Sequence, residues 1–188
     1  MCRRYPKLLG LYFAAVLLAL SGLPSTTFAD SAAEIDRDVS AALNDLYAGE
    51  PTAKALGDKS KAILVFPDVL KAGLLIGGQY GEGALRMGSK TDGYYSTVAV
   101  SYGLQAGAQK FGYAMFLITD SALQHLKESD GWEIGTGPSI VVVDKGAAGA
   151  MTTTTLQDDI YVFFFDQKGL MAGLGLQGTK ITPIQPEK

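Results

Sequence analysis

The chain is poor in residues that do covalent chemistry. Among 188 residues there is one histidine, His125, and one cysteine, Cys2. A zinc site needs several Cys, His or carboxylate ligands, and a Cys/His or Ser/His/Asp arrangement needs a histidine to carry the proton. His125 would have to serve alone, and it falls on a short predicted helix where an ordinary surface or partly buried histidine is the simpler reading. Asp158, Asp159 and Asp166 could approach one another, but their spacing sets up no acid–base pair, and turns account for them better. Gly173-Leu174-Gly175-Leu176-Gln177-Gly178 has the G-x-G-x-x-G spacing of dinucleotide-binding loops. Such a loop needs a following helix and an acidic residue about 20 positions on. Only ten residues follow Gly178, and they include Pro183 and Pro186. The segment is therefore expected to be a terminal strand. No catalytic residue, no metal ligand set and no cofactor is expected, which moves attention from reaction to binding.

The elements that would position a binding surface follow from periodicity. Ser31-Ala32-Ala33-Glu34 has capping-box spacing, and Ile35, Val39, Ala42, Leu43 and Leu46 recur at helical intervals up to Gly49-Glu50-Pro51. An amphipathic helix is predicted over 31–48 and a short one over 53–59. From Ala62 the period changes to two. Strands are predicted over 62–66, 73–87, 94–102, 104–111, 113–118, 132–135, 139–144, 148–155, 160–165 and 170–181, with a helix from Thr119 or Asp120 to Lys127. Thr91-Asp92-Gly93 and Gln167-Lys168-Gly169 are turn signals. The expected fold is α+β: a predominantly antiparallel, strongly curved β-sheet or partly closed barrel with an N-terminal amphipathic helix and one or two short helices.

Glycine is in excess at 23 residues, roughly 12% against a usual ~7%. Alternation locates the excess. Gly73, Gly77, Gln79, Gly81 and Gly83 share one face of a predicted strand, with Leu74, Ile76 and Tyr80 on the other. Gly103, Gln105, Gly107 and Gln109 repeat the pattern, as do Gly169, Gly173, Gly175 and Gln177. Glycine within a strand marks a bend or a close approach. The two readings are sheet curvature with close packing by a helix, and a shallow groove walled by backbone and glutamine amides.

Three basic residues, Arg3, Arg4 and Lys7, precede an apolar run over 8–23 and the small residues Thr27 and Ala29. This is the order of a signal peptide cut after Ala29, and the run is shorter than the roughly 20 residues that span a bilayer. The expected divisions are 1–29 signal peptide, 30–51 N-terminal helix and linker, and 52–184 main domain. Cutting there removes three basic residues and the only cysteine, leaving 13 basic and 19 acidic residues. A cysteine-free, net-negative chain suits an oxidising compartment and argues against nucleic acid. The expected location is outside the cytoplasm, in the periplasm or cell envelope, or secreted, by the Sec or the twin-arginine route.

Read in order, the motifs resemble the SYLF domain family, in its secreted bacterial branch. The resemblance runs from about Ala53 to Ile181 and is carried by Lys61-Ala62-Ile63-Leu64-Val65-Phe66-Pro67, Lys71-Ala72-Gly73, Gly77-Gly78-Gln79-Tyr80-Gly81-Glu82-Gly83 and Gly93-Tyr94-Tyr95-Ser96. It continues through the segment 102–109, Gly131-Trp132-Glu133-Ile134-Gly135, and from Lys168-Gly169-Leu170 to Gly178-Thr179-Lys180. The resemblance implies a non-enzymatic lipid-binding module; eukaryotic relatives bind phosphoinositides and membranes, and some fungal relatives bind actin. The basic N-terminal segment that some relatives use is acidic here through Asp45, which weakens the phosphoinositide expectation, and the export signal makes actin an unlikely partner. The expected ligand is phospholipid or an acyl chain at a membrane surface, with an envelope protein as the alternative partner. Candidate contacts are Lys54, Lys59, Lys61, Lys71, Lys168 and Lys180 for head groups, and Gln79, Gln105, Gln109 and Gln177 on the glycine face.

Overall fold

The structure is a computed structural model, and it describes residues 30–143, 157–169, 176 and 178–187. The predicted signal peptide, the predicted strand over 148–155 and most of 170–177 lie outside the described residues.

Helix α1 spans Ala32–Gly49. Its start is fixed as the sequence requires: the Ser31 hydroxyl accepts from the Glu34 backbone N–H, and the Glu34 carboxylate accepts from the Ser31 backbone N–H at 3.0 Å. Pro51 opens the short helix α2, Pro51–Gly57. Two long strands follow, β1 over Ala62–Met87 and β2 over Lys90–Leu117, paired antiparallel along their length. The turn between them is Gly88-Ser89, with Gly88 at φ +61°, so the hairpin closes three residues before the predicted Thr91-Asp92-Gly93. Helix α3, Asp120–Glu128, is capped by the Thr119 hydroxyl. Strands β3 (Trp132–Glu133), β4 (Ile140–Val142), β5 (Ile160–Gly169) and β6 (Lys180–Ile184) complete the described sheet. Central β2 has β1 on one side; on the other, β6 lies along its first half and β5 along its second. Strand β4 adds to β5 in parallel, the one non-antiparallel pairing among the described residues. Gln167-Lys168-Gly169 is not a turn but the end of β5, paired with Gln109 and Lys110.

The five short strands predicted between 62 and 118 are two strands bent back on themselves. The Tyr113 hydroxyl donates to Thr97 Oγ1 at 2.7 Å, although both residues belong to β2. Sixteen residues of straight strand would separate them by ~53 Å at roughly 3.3 Å per residue. The bend falls where the β1–β2 register shifts between Leu74 and Ile76 and where Gly107 adopts φ +148°. It is completed by glycine. A Cβ on Gly83 would land on the Val65 carbonyl oxygen and 2.8 Å from Phe66 Cδ1, and one on Gly81 would sit 2.7 Å from the Asp68 carbonyl oxygen. The glycine-bearing face is thus the inside of the curl. The close packing it permits at Gly81 and Gly83 is strand on strand, not the packing of a helix expected from the sequence, because the doubled-back strand itself fills the space a side chain would take.

Two apolar clusters lie on either side of the bent sheet. Inside are Leu64, Phe66, Val69, Leu85, Tyr113 and Met115, joined by Leu126 of α3 and Trp132. Outside, Ile35, Val39, Ala42 and Leu46 of α1 and Leu56 of α2 cover Ile63, Val65, Ala84, Phe116 and Phe163.

Candidate functional site

The outer face of the hairpin is apolar beyond the reach of α1, and there no described element covers it. Cross-strand partners share a face, so the pairings Tyr80↔Val98 and Gly78↔Val100 place these residues side by side, with Ile76 two residues further along β1. Ile76 is 63% exposed, Val100 60%, Tyr80 50% and Val98 40%. Contiguous apolar residues on an exposed sheet face are candidates for a contact surface. Leu70, also exposed, shares a depression of about 320 Å3 with Tyr80, Gly81, Glu82, Asp30, Asp68 and Lys110.

The alternation that produces this surface was visible in sequence, but its sense is the opposite of what polarity suggests. The Gly/Gln side turns inward. Gln79 is 6% exposed, its amide 3.5 Å from Thr179 Oγ1, and Gln109 is 5% exposed. The side chain of Gln105 and all of Gln177 lie outside the described residues. The aliphatic side turns outward because the curl can close only where no side chains intervene, at Gly81 and Gly83.

The candidate lysines are spread over several places. Lys54 and Lys59 are exposed on and just after α2, with the Lys54 ammonium 5.7 Å from the centre of the Tyr47 ring. Lys61 pairs with Asp120 of α3 at 3.1 Å. Lys71 is partly buried opposite Gln109. Lys168 lies opposite Lys110 on β2, and Lys110 in turn lies opposite Leu70, so two lysines and an exposed leucine form one row across three strands. Lys110 also reaches Asp68 at 2.8 Å. Lys180 on β6 is exposed and lies opposite Val98, which puts it in the Tyr80–Val98 row. Lys180 and Lys168 are therefore the two candidates in rows with exposed apolar residues. Sequence reasoning did not single out Ile76, Tyr80, Val98, Val100 or Lys110; the signal for the first two was the aliphatic half of the alternation.

The polar group at the centre of the patch is a phenol. The Tyr80 hydroxyl donates to Glu82 Oε1. Burial, then the bond to Glu82 and the charges of Glu82 and Asp30, push the Tyr80 phenol up to about 12. It is a neutral, half-exposed phenol whose ring lies beside Val98. Elsewhere, His125 is partly buried with its ring edge-on to Trp132 at 5.6 Å. Asp159, one of the acids weighed for chemistry, accepts from Thr119 Oγ1 at 2.8 Å and from the Ser139 backbone N–H at 3.0 Å, which hold its carboxyl below the usual range. It ties α3 and the approach to β4 to the start of β5. Among the described residues no group of three or more His, Cys, Asp or Glu is arranged to hold a metal ion, and no helix is long and apolar enough to cross a membrane.

Residues 98–187 match the family model described as Ysc84: Las17-binding protein actin regulator. No curated protein matches the chain. The matched span takes in β2 from Val98 onward, α3 and β3 to β6, so Val98, Val100, Lys110, Lys168 and Lys180 fall within it, whereas Ile76 and Tyr80 do not.

Proposed function

Because residues 98–187 belong to the Ysc84 (SYLF) domain family, a family of binding domains, we propose that this chain is a non-enzymatic lipid-binding protein that meets a membrane with the bare outer face of its long hairpin. The observation that carries this reading is the patch of Ile76, Tyr80, Val98 and Val100, exposed on a sheet face whose other end is covered by α1. Burying an aliphatic side chain of this size is worth about 1.5–3 kcal/mol, so a few of them suffice for reversible insertion among acyl chains. Lys180 beside Val98, and Lys168 beside Lys110, would meet phospholipid head groups at the rim. Because the chain is net acidic and Asp30, Asp68 and Glu82 lie nearby, head-group charge is a secondary contributor. The basic residues and apolar run at the start of the sequence support action after export, at the periplasmic or outer side of an envelope membrane.

Co-sedimentation with vesicles tests the reading. Binding to neutral phosphatidylcholine vesicles that persists in ~0.5 M salt is expected, since acyl insertion is not screened whereas exposed charge pairs are. Ile76→Ser with Val100→Ser should lower partitioning at least ~10-fold, from the lost apolar area. Absence of binding to neutral and anionic vesicles alike would overturn it. The family description names a protein partner and actin regulation, so the second reading is a protein-interaction module using the same face. It predicts recovery of a protein partner, actin filaments included, that the same two substitutions abolish.

A further inference from the structure

Five carboxylates gather where the described chain begins: Asp30, Glu34 and Asp38 on or before α1, and Asp68 and Glu82 on β1. Four of them have local partners, Glu82 through the Tyr80 hydroxyl. Asp68 pairs with Lys110, Asp38 with Arg37 at 2.9 Å, and Glu34 is engaged by the Ser31 cap. Among the described residues, Asp30 and Glu82 have no Lys or Arg ion pair, and burial followed by the charges of Glu82, Glu34, Asp38 and Asp68 raises the Asp30 carboxyl above its ordinary value. The other oxygen of Glu82 already faces the backbone nitrogen of Asp30, which donates to Oε2 at 3.2 Å while Tyr80 donates to Oε1. That nitrogen belongs to the bond after Ala29, where Thr27 and Ala29 supply the small residues a signal peptidase reads.

We propose that cleavage of the Ala29–Asp30 bond turns this nitrogen into an α-ammonium that forms a salt bridge with Glu82, so that processing itself completes the charge balance of the corner. The inference rests on the export reading given above and adds the site that receives the new terminus. In the cleavage, by a membrane-bound signal peptidase, the oxygen of water bonds to the Ala29 carbonyl carbon as the C–N bond breaks. The electron pair of that bond stays on the Asp30 nitrogen, which takes both water protons and becomes an ammonium, while Ala29 leaves as a carboxylate. The ammonium has three donors and one compact charge. Its surroundings are the carboxylates of Asp30, Glu34 and Asp38 with Arg37 on α1, Asp68, Tyr80 and Glu82 on β1, and Lys110 on β2. The Glu187 backbone carbonyl is engaged beside it by the Ala32 N–H at 3.0 Å. The positive end of the α1 dipole opposes a cation there, and the carboxylates outweigh it.

A raised α-amine value implies stability that is fully present below the unfolded-state value and lost as pH rises through the folded one. The full-length chain is expressed in an exporting bacterial host, the exported protein is weighed intact, and acylation of its α-amine is followed by peptide mass spectrometry across pH. The mass should correspond to a chain starting at Asp30. Its α-amine should titrate above the ordinary ~7.7–8.0 and react at pH 7.5 roughly threefold or more slowly than in Glu82→Gln. The same ratio is expected between native wild type and wild type unfolded in urea, which keeps the test independent of the variant's folding. A chain that is uncut or begins elsewhere overturns the export reading and the inference together. Equal reactivity in all three samples overturns the ion pair alone, and vesicle binding enters neither readout.

Discussion

The two ends of the hairpin's outer face have the same kind of sequence and opposite fates. Near Ala84 and Tyr94 the face lies under α1, whose Ile35, Val39, Ala42 and Leu46 are buried against it. Near Ile76, Tyr80, Val98 and Val100 the same face continues with larger apolar side chains and no described element over them. Apolar residues at the covered end hold the fold together, while those at the bare end contribute little to it and are available to a ligand. Substituting matched residues at the two ends separates these roles. Ile35→Ala should cost about 3 kcal/mol in urea unfolding, through lost burial and the cavity left behind. Ile76→Ala should change stability by no more than ~0.5 kcal/mol. Equal losses would mean that the bare end is part of the core after all.

The glycines divide by face in the same way. Gly83→Ala drives a Cβ into the Val65 carbonyl, which cannot move without breaking the β1–β2 ladder, and a loss of about 2 kcal/mol is expected. At Gly78, on the outer face, the nearest atom to such a Cβ is the Ala99 carbonyl oxygen at 4.0 Å, so Gly78→Ala should be tolerated within ~0.5 kcal/mol. Thermal unfolding of both variants checks the assignment of faces, because an inverted sheet would exchange the two results.

Those faces show where sequence reading succeeds and where it stops. Local rules located α1 through Ser31 and Glu34, α3 through Thr119, and the alternation of the strands, because each depends on residues within a few positions. Alternation also revealed the two faces. It could not say which one points inward, since that is decided by contacts such as Val65 with Gly83 and Tyr113 with Thr97, between positions sixteen or more residues apart on the same strand. Aliphatic residues ordinarily mark the inside; here the curl closes backbone on backbone, and glycine takes that place. The same long-range closure merged the predicted short strands into β1 and β2. Of the lysines, spacing could not show that Lys180 would lie beside Val98, because β6 reaches β2 from more than eighty residues away in sequence.

The smallest contrast lies in two tyrosines of the outer face that both donate to carboxylates. Tyr94 donates to Asp36 Oδ2 at 3.1 Å and so reaches from β2 to α1, where Asp36 also accepts from Thr91 Oγ1 at 2.6 Å. Tyr80 donates to Glu82, two residues away on its own strand. Removing the first hydroxyl detaches a tether between helix and sheet, so Tyr94→Phe should cost about 1 kcal/mol. Removing the second detaches nothing over distance, so Tyr80→Phe should stay within ~0.5 kcal/mol and, on the proposed membrane reading in which the ring inserts, leave vesicle binding within about twofold. Titration separates the pair further. Both phenols are raised, mainly by burial, and Tyr80 reaches about 12. A raised folded value means stability that is intact below the ordinary ~10 and lost as pH climbs through the folded value. In an alkaline absorbance titration Tyr80→Phe should therefore delete a step near pH 12. If it instead deletes a step near 10, the Tyr80 hydroxyl is free in solution, and the bare end is less ordered than its pairing with Val98 implies.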